Sequence, residues 1–324
     1  MSKIVRRISG GLVIVLLVMG GLLLLRQDSP VTQREKPAIL TVRDSAGRNI
    51  EIPKNPQRVI VLNPSNLDLY YAAGGKVVGK PTTQALQPAV KEAVKDIPAL
   101  GTTANPDVEK MLTLKPDLIL GVNAPPHHNL IPLLEKAGVP ILLQALESYQ
   151  QILDTLDLYG QLTGNPGQAE KEIARIKAQY EEIIQGIAGK RPPKVLVIWG
   201  STESFNMATP KSFTGDLVER LGGINIAQGQ DSLSEKRSFV PLSMEYVAKE
   251  NPEVILLITH STEEKVVEKL REDLAKHPAW QGLNAVRNNR VSQLPYQLFA
   301  VNPGTRVGEA LHILEKLLYP EVGS

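Results

Sequence analysis

The chain has 324 residues, enough for two hydrophobic cores, because single cores stop growing near ~250–300 residues. Its formal charge is +2, yet Lys3, Arg6, Arg7 and Arg26 lie in the first 27 residues with no acid beside them; the remainder carries −2, so no basic surface for nucleic acid or anionic lipid is implied. It contains no cysteine, which excludes disulfides, thiolate-held metals, iron–sulfur clusters and a lipidated cysteine anchor.

Residues 1–27 read as an N-terminal signal or membrane anchor. Basic residues precede an apolar run from Leu12 to Leu25, which predicts a cytoplasmic N-terminus and an exported body. Leu22 to Leu25 run straight into Arg26 without a small-x-small cleavage pattern, so an uncleaved anchor is favoured over a removed signal. Residues 28–37 are polar and Pro-containing, as a tether is.

Residues 38–164 predict an N-terminal α/β lobe. A hairpin is expected over Thr41 to Ile52, turning at Ser45 to Arg48. Short apolar strands come next at Arg58–Leu62, Val77–Gly79, Asp117–Leu120 and Pro140–Leu143, interleaved with helical patterns at Leu67–Ala73 and Leu130–Ala137. Strands alternating with helices predict a mainly parallel sheet, whose ligands sit at the carboxyl ends of the strands. Residues 165–189 predict one long helix, with Asn165 as N-cap, Pro166 at the first turn and Ile173, Ile176, Tyr180, Ile183 and Ile187 at helical spacing. Residues 190–324 repeat the α/β pattern with strands at Lys194–Trp199, Val254–Thr259 and Arg290–Leu294 and a terminal helix from about Gly304 to Leu318.

One phrase occurs in both halves. Glu109 and Glu245 each stand at a helix start, 136 residues apart (245 minus 109), and each is followed seven residues later by a proline, Pro116 or Pro252, that opens an apolar strand. Carboxylates near helix N-termini are held ionised by the helix dipole and are ready to pair with Arg. The alternative reading of each is a first-turn Glu that only stabilises its own helix.

The stretch Pro56-Gln57-Arg58-Val59-Ile60-Val61-Leu62-Asn63-Pro64-Ser65, the Lys115-Pro116-Asp117-Leu118-Ile119 phrase, and Ala137-Gly138-Val139-Pro140 resemble the N-lobe of ABC-transporter solute-binding proteins of the iron-siderophore, haem and cobalamin class. Gly215-Asp216-Leu217, Leu221 to Asn225, His277-Pro278-Ala279-Trp280 and Asn302-Pro303-Gly304-Thr305-Arg306 resemble its C-lobe. The resemblance implies two Rossmann-like α/β lobes, each a mainly parallel sheet flanked by helices, joined by one long helix with the ligand cleft between them. It also implies a monomeric, non-catalytic, extracytoplasmic receptor with no intrinsic cofactor. Its partners would be a permease dimer with ATPase subunits, and the permease would meet Glu109 and Glu245. No nucleophile-elbow, phosphate-loop or His-Glu-x-x-His motif points to an enzyme. The remaining rival class is a tethered sensor or an enzyme on the same fold.

The ligand is expected to be a ferric chelate or a tetrapyrrole. Candidate contacts are Asn63, Ser65, Asn66, Thr83, Asn123, His127, His128, Trp199, Phe205, Met207, Tyr296 and Phe299, all on expected strand-end loops. Trp199 alternatively finishes its strand inside the core. No metal ligand is assigned directly: His127 and Tyr296 are candidates, but consecutive histidines on a Pro-rich loop more often face solvent. His260 stands with Tyr296 in this respect. Ferric catecholates and citrates are strongly anionic and need clustered cations. The expected loops supply only Lys80, Lys211, Arg237 and Arg306, a sparsity that a neutral hydroxamate-type complex, a corrinoid or haem tolerates better. The Thr41 to Ile52 hairpin resembles the leading segment of iron-complex binders more than that of minimal cobalamin binders, which places an iron-siderophore first, with haem and cobalamin behind it.

Overall fold

The computed structural model describes residues 38–200, 204–229, 237–259 and 264–320. The expected export segment and tether, residues 201–203 of the expected Trp199–Met207 loop, and His260 with Ser261 lie outside the described residues. Among the described residues no helix is long and apolar enough to cross a membrane.

The body opens on a hairpin of β1 (Ile39–Arg43) and β2 (Asn49–Pro53), with Thr41 opposite Glu51. Asp44 holds its turn: Oδ1 accepts from the backbone of Ala46 and Arg48 at 3.0 and 2.9 Å, while Oδ2 accepts from Arg48 Nε and Nη2. In chain order the next elements are β3 (Val59–Val61), α1 (Pro64–Ala72), β4 (Val77–Gly79) and α2 (Pro88–Ala93). A short ladder of β5 (Gly101–Thr102) and β6 (Asn105–Pro106) leads to α3 (Val108–Thr113) and β7 (Leu118–Val122). Then come α4 (Pro125–His128), α5 (Ile131–Lys136), β8 (Ile141–Gln144) and α6 (Tyr149–Thr163). Strands β4, β3, β7 and β8 lie side by side in that order, all parallel. β3 and β8 are buried throughout and β7 at all but Val122, because both faces of the sheet are covered; such strands read as unbroken apolar runs.

The long helix α7 (Pro166–Gly186) begins after Gly164, whose φ of 70° ends α6 in the left-handed region. At 1.5 Å per residue it spans roughly 30 Å. Asn165 occupies the expected boundary, but its side chain accepts no capping bond; Nδ2 instead donates to the Thr163 carbonyl at 3.0 Å.

Beyond it the second lobe comprises β9 (Lys194–Gly200), β10 (Phe205–Ala208), α8 (Phe213–Arg220), β11 (Ile224–Asn225), β12 (Phe239–Pro241) and α9 (Met244–Glu250). It continues with β13 (Val254–Thr259), α10 (Glu264–Ala275), α11 (Asn284–Arg287), β14 (Val291–Gln293), α12 (Tyr296–Phe299) and α13 (Val307–Leu318). The sheet order is β12-β10-β9-β13-β14, with β11 also on β9. Strands β11, β9, β13 and β14 pair in parallel, whereas β10 is antiparallel to β9 and β12.

β10 corrects an expectation. Much of the segment 199–207 is not a cleft loop but belongs to a hairpin, with Met207 opposite Ile198 and Phe205 opposite Gly200. Strand alternation then sends Phe205 and Met207 to one face, where they pack with Leu196 and Ile198, and sends Ala208 to the other.

One continuous core joins the lobes. It includes Val61 and Leu120 of the first sheet, Tyr159, Ile176 and Ile183 of α6 and α7, Val197 and Leu256 of the second sheet, and Leu311 of α13. Helix α7 packs on both α6 and α13. The residues from Ala38 onward accordingly form one compact unit.

Candidate ligand cleft and docking face

Parallel strands aim their carboxyl ends, and the loops beyond them, at one edge of the sheet. Here the loops after β3, β7 and β8 converge there, and a cavity of about 940 Å³ opens between them and the segment around α12. Its lining includes Asn63, Pro64 and Ser65, the segments 82–85 and 102–104, Val122 to Ala124, Gln144 to Glu147, Tyr296, and Ala300 to Asn302. A smaller cavity of about 180 Å³ adjoins it, sharing Glu147, Ala300 and Asn302 and lined by Trp199, Ala208, Phe213, Phe239 and Phe299. The Trp199 and Phe239 rings meet at 5.2 Å between centroids, tilted by 60°.

Of the residues singled out in the sequence, Asn63, Ser65, Thr83, Asn123 and Tyr296 line the large cavity, and Trp199 and Phe299 line the small one. The others do not. Asn66 is buried, with Nδ2 donating to the Gly121 carbonyl at 2.9 Å. Met207 lies in the core and Phe205 packs half-buried against it, both sent there by the register of β10 on β9. His128 is exposed and reaches the site only through Asn123, with Nε2 2.7 Å from Oδ1.

His127 is wholly buried and engaged at both nitrogens: Nδ1 accepts from the Val122 N–H at 2.8 Å, and Nε2 therefore donates to the Thr103 carbonyl at 3.0 Å. Burial pushes its pKa down, favouring the neutral ring these two bonds require. Its place depends on Gly121, where a Cβ would lie 2.9 Å from Nδ1. His127 is thus a structural histidine with no nitrogen left for a metal. Among the described residues no group of three His, Cys, Asp or Glu side chains is placed to hold one.

The cavity is nearly uncharged. Glu147 is the sole charged side chain among the described residues of either lining. The four expected cations are elsewhere: Lys80 Nζ donates to the Val94 carbonyl, Arg306 pairs with Glu309 at 2.7 and 2.9 Å, and Lys211 and Arg237 line neither cavity. Lining residues missed in the sequence include Gln144 to Glu147, which the strand-end rule reaches from β8, and Phe213 and Phe239, which no local signal marks.

Asn302 to Thr305 bind the lobes together beside the cavity. Ser65 Oγ donates to the Asn302 carbonyl at 2.8 Å, Asn302 Nδ2 to the Leu146 carbonyl at 2.7 Å, and Arg175 of α7 to the Thr305 carbonyl at 2.8 Å. Asp68 of α1 receives the Thr305 N–H and hydroxyl at 2.7 and 2.8 Å and Gln87 Nε2 at 2.6 Å. Gly304 is required at this crossing, since its φ is +58° and a Cβ would fall 2.3 Å from Asp68 Oδ2.

Glu109 and Glu245 both lie exposed in the first turn of a short helix, α3 and α9. The N-caps match: Asp107 accepts from the Lys110 N–H at 3.0 Å and Ser243 from the Tyr246 N–H at 3.3 Å. The helix exits match too. Lys115 and Asn251, directly before the two prolines, have φ of 46° and 49°. Asp117 takes the N–H of Arg58 at the start of β3, and Glu253 takes that of Lys194 at the start of β9, both across 59 positions. Arg58 in turn donates to the carbonyl of Leu114, directly after α3, and Lys194 to that of Glu250, the last residue of α9, both across 56 positions.

Comparison with known proteins agrees with this architecture. The high-affinity heme uptake system protein IsdE of Staphylococcus aureus is 26% identical over 248 residues, 76% of this chain and 81% of the relative. The structure of S. aureus IsdE complexed with heme superposes with a TM-score of 0.71 at 25% identity, covering 81% of this chain and 98% of that one. An ABC transporter substrate-binding protein from Listeria monocytogenes EGD-e gives 0.74 at 25% identity, covering 83% and 100%. The model of the family described as periplasmic binding protein matches residues 59–298. With that match spanning both sheets and the helix between them, the chain belongs to the periplasmic binding protein family, whose members are binding proteins and not enzymes.

Proposed function

We propose that this chain is the solute-binding receptor of an ABC importer, working outside the cytoplasmic membrane, that captures a siderophore-type ferric chelate and delivers it to a permease dimer. The observation that carries the ligand class is the lining: about 940 Å³ with one carboxylate and no cation among the described residues. That volume lies at the upper end of the ~300–1,000 Å³ typical of small-molecule sites. A lining without cations disfavours polyanionic catecholate and citrate complexes, whose charge would lie unpaired. A hydroxamate-type complex brings its own coordination shell, and His127 is not free to add to it.

Haem is the second reading. It is supported by the ligand named for IsdE and by Tyr296, whose phenol lines the cavity without a protein partner for its hydroxyl among the described residues. Titration with a neutral ferric trihydroxamate, a ferric catecholate and haem decides between them, with binding read from tryptophan fluorescence and visible absorption. The expected order is trihydroxamate first and catecholate last. Saturable haem binding with a Soret shift that disappears in Tyr296→Phe would instead establish the second reading.

Docking is assigned to Glu109 and Glu245, supported by their matched positions in the two lobes and by the exposure of both side chains. Basic residues on a two-fold permease would meet one acid from each lobe.

A further inference from the structure

The chain contains only four phenylalanines and two tryptophans, yet Phe213, Phe239, Phe299 and Trp199 all line the small cavity. Three of four Phe and one of two Trp thus gather around a space of about 180 Å³. The Trp199 and Phe239 rings are in contact, and Phe239 remains 40% exposed, so ring surface is open to an occupant. At the junction with the large cavity stands Glu147, the charged side chain common to both linings. Its carboxylate has one hydrogen-bond partner among the described residues, Ser238 Oγ at a long 3.5 Å.

Aromatic faces and a carboxylate, with no cation between them among the described residues, are the two elements that recognise an alkylammonium group, through ring quadrupole and charge. We propose that the small cavity is a subsite for an alkylammonium arm of the bound chelate, with Glu147 pairing the ammonium and the four rings taking its methylene stem. The size agrees. At the ~30 Å³ that a water occupies in the liquid, about 180 Å³ holds roughly six non-hydrogen atoms, the size of an aminopentyl chain. The inference rests on the proposed chelate function and narrows its ligand to a ferric trihydroxamate with a free primary amine.

The test uses the full chain and two probes, a linear ferric trihydroxamate ending in an aminopentyl arm and the same chelate N-acetylated, measured calorimetrically against wild type, Glu147→Gln and Phe239→Leu. The amine form should bind about tenfold more tightly in wild type. Glu147→Gln should erase that preference, so that the amine and acetylated chelates bind alike, and Phe239→Leu should reduce it. Circular dichroism and melting temperature verify that both variants fold. Equal binding of the two chelates to wild type, or a preference that survives Glu147→Gln, overturns the subsite while leaving the chelate receptor standing. Quenching of tryptophan fluorescence by 1-aminopentane against 1-pentanol separates the two ideas. A saturable, Glu147-dependent preference for the amine supports an alkylammonium subsite even if both chelates fail, whereas failure of both chelates overturns the siderophore reading and with it the assignment of the arm to a trihydroxamate. No preference for the amine counts against the subsite.

Discussion

Asp68 is the residue whose chemistry depends most on its surroundings. Burial pushes its carboxyl from an ordinary 3.8 up to about 6, against the lowering effect of the two Thr305 bonds; Glu172 adds to the rise and Arg306 opposes it. An acid whose folded pKa is raised contributes stability that is fully present below about 3.8 and is lost as pH rises through about 6. A shift of this size corresponds to about 3 kcal/mol. Urea unfolding of wild type and Asp68→Asn between pH 4 and pH 7 should therefore show wild type losing stability relative to the variant as pH rises, by up to that amount. A flat difference across the window would contradict the burial argument.

His127 is the second residue-scale case. Replacing it by Ala leaves the Val122 N–H and the Thr103 carbonyl without their partner, an expected loss of about 2–3 kcal/mol in urea titration. Chelate affinity of the folded fraction should not change, whereas a metal-ligating histidine would lose binding first. The paired histidines were legible in the sequence as candidates, but not their separate fates. One turned inward because Gly121 leaves room beside it, and that space comes from a neighbouring strand.

Among elements, the repeat proved deeper than its two glutamates. The offset of 136 residues relates Glu109 to Glu245, Asp117 to Glu253 and Arg58 to Lys194, and the latter four residues make equivalent strand-start and helix-end bonds. Both helices are too short to persist without tertiary support, so caps and these bonds hold them. Asp117→Ala should cost about 1–2 kcal/mol, because its carboxylate takes the N–H of both Gln57 and Arg58, at 2.6 and 2.9 Å. Chemical denaturation measures it, with ligand affinity unchanged at the distant cleft. The parallel strands were legible because continuous burial writes continuous apolar runs. β10 was not: Phe205 and Met207 alternate over only four residues, and their pairing with β9 comes from a tertiary hairpin.

For the molecule as a body, the core that passes through α6, α7 and α13 limits relative motion of the lobes. Closure on ligand is expected to be small, and the radius of gyration from solution scattering should stay constant on saturation within error. A large contraction would indicate a hinge that this packing does not provide. The docking assignment is tested at the same scale. Charge reversal of both Glu109 and Glu245 to Arg should abolish uptake and binding to the permease, while leaving the affinity for the chelate unchanged.

Residue order alone settled the class of fold, the succession of strands and helices, the lack of thiol chemistry and the presence of one acid in equivalent places of two lobes. These features follow from neighbours two to four positions apart, from composition or, for the paired acids, from a phrase repeated 136 positions on (245 minus 109). Tertiary contacts dictated which strand-end residues face the cleft, that His127 is consumed by the backbone, and that scarce aromatics gather beside Glu147. Those outcomes depend on loops from positions as distant as Asn63 and Asn302 meeting in space, and local periodicity carries no record of such meetings.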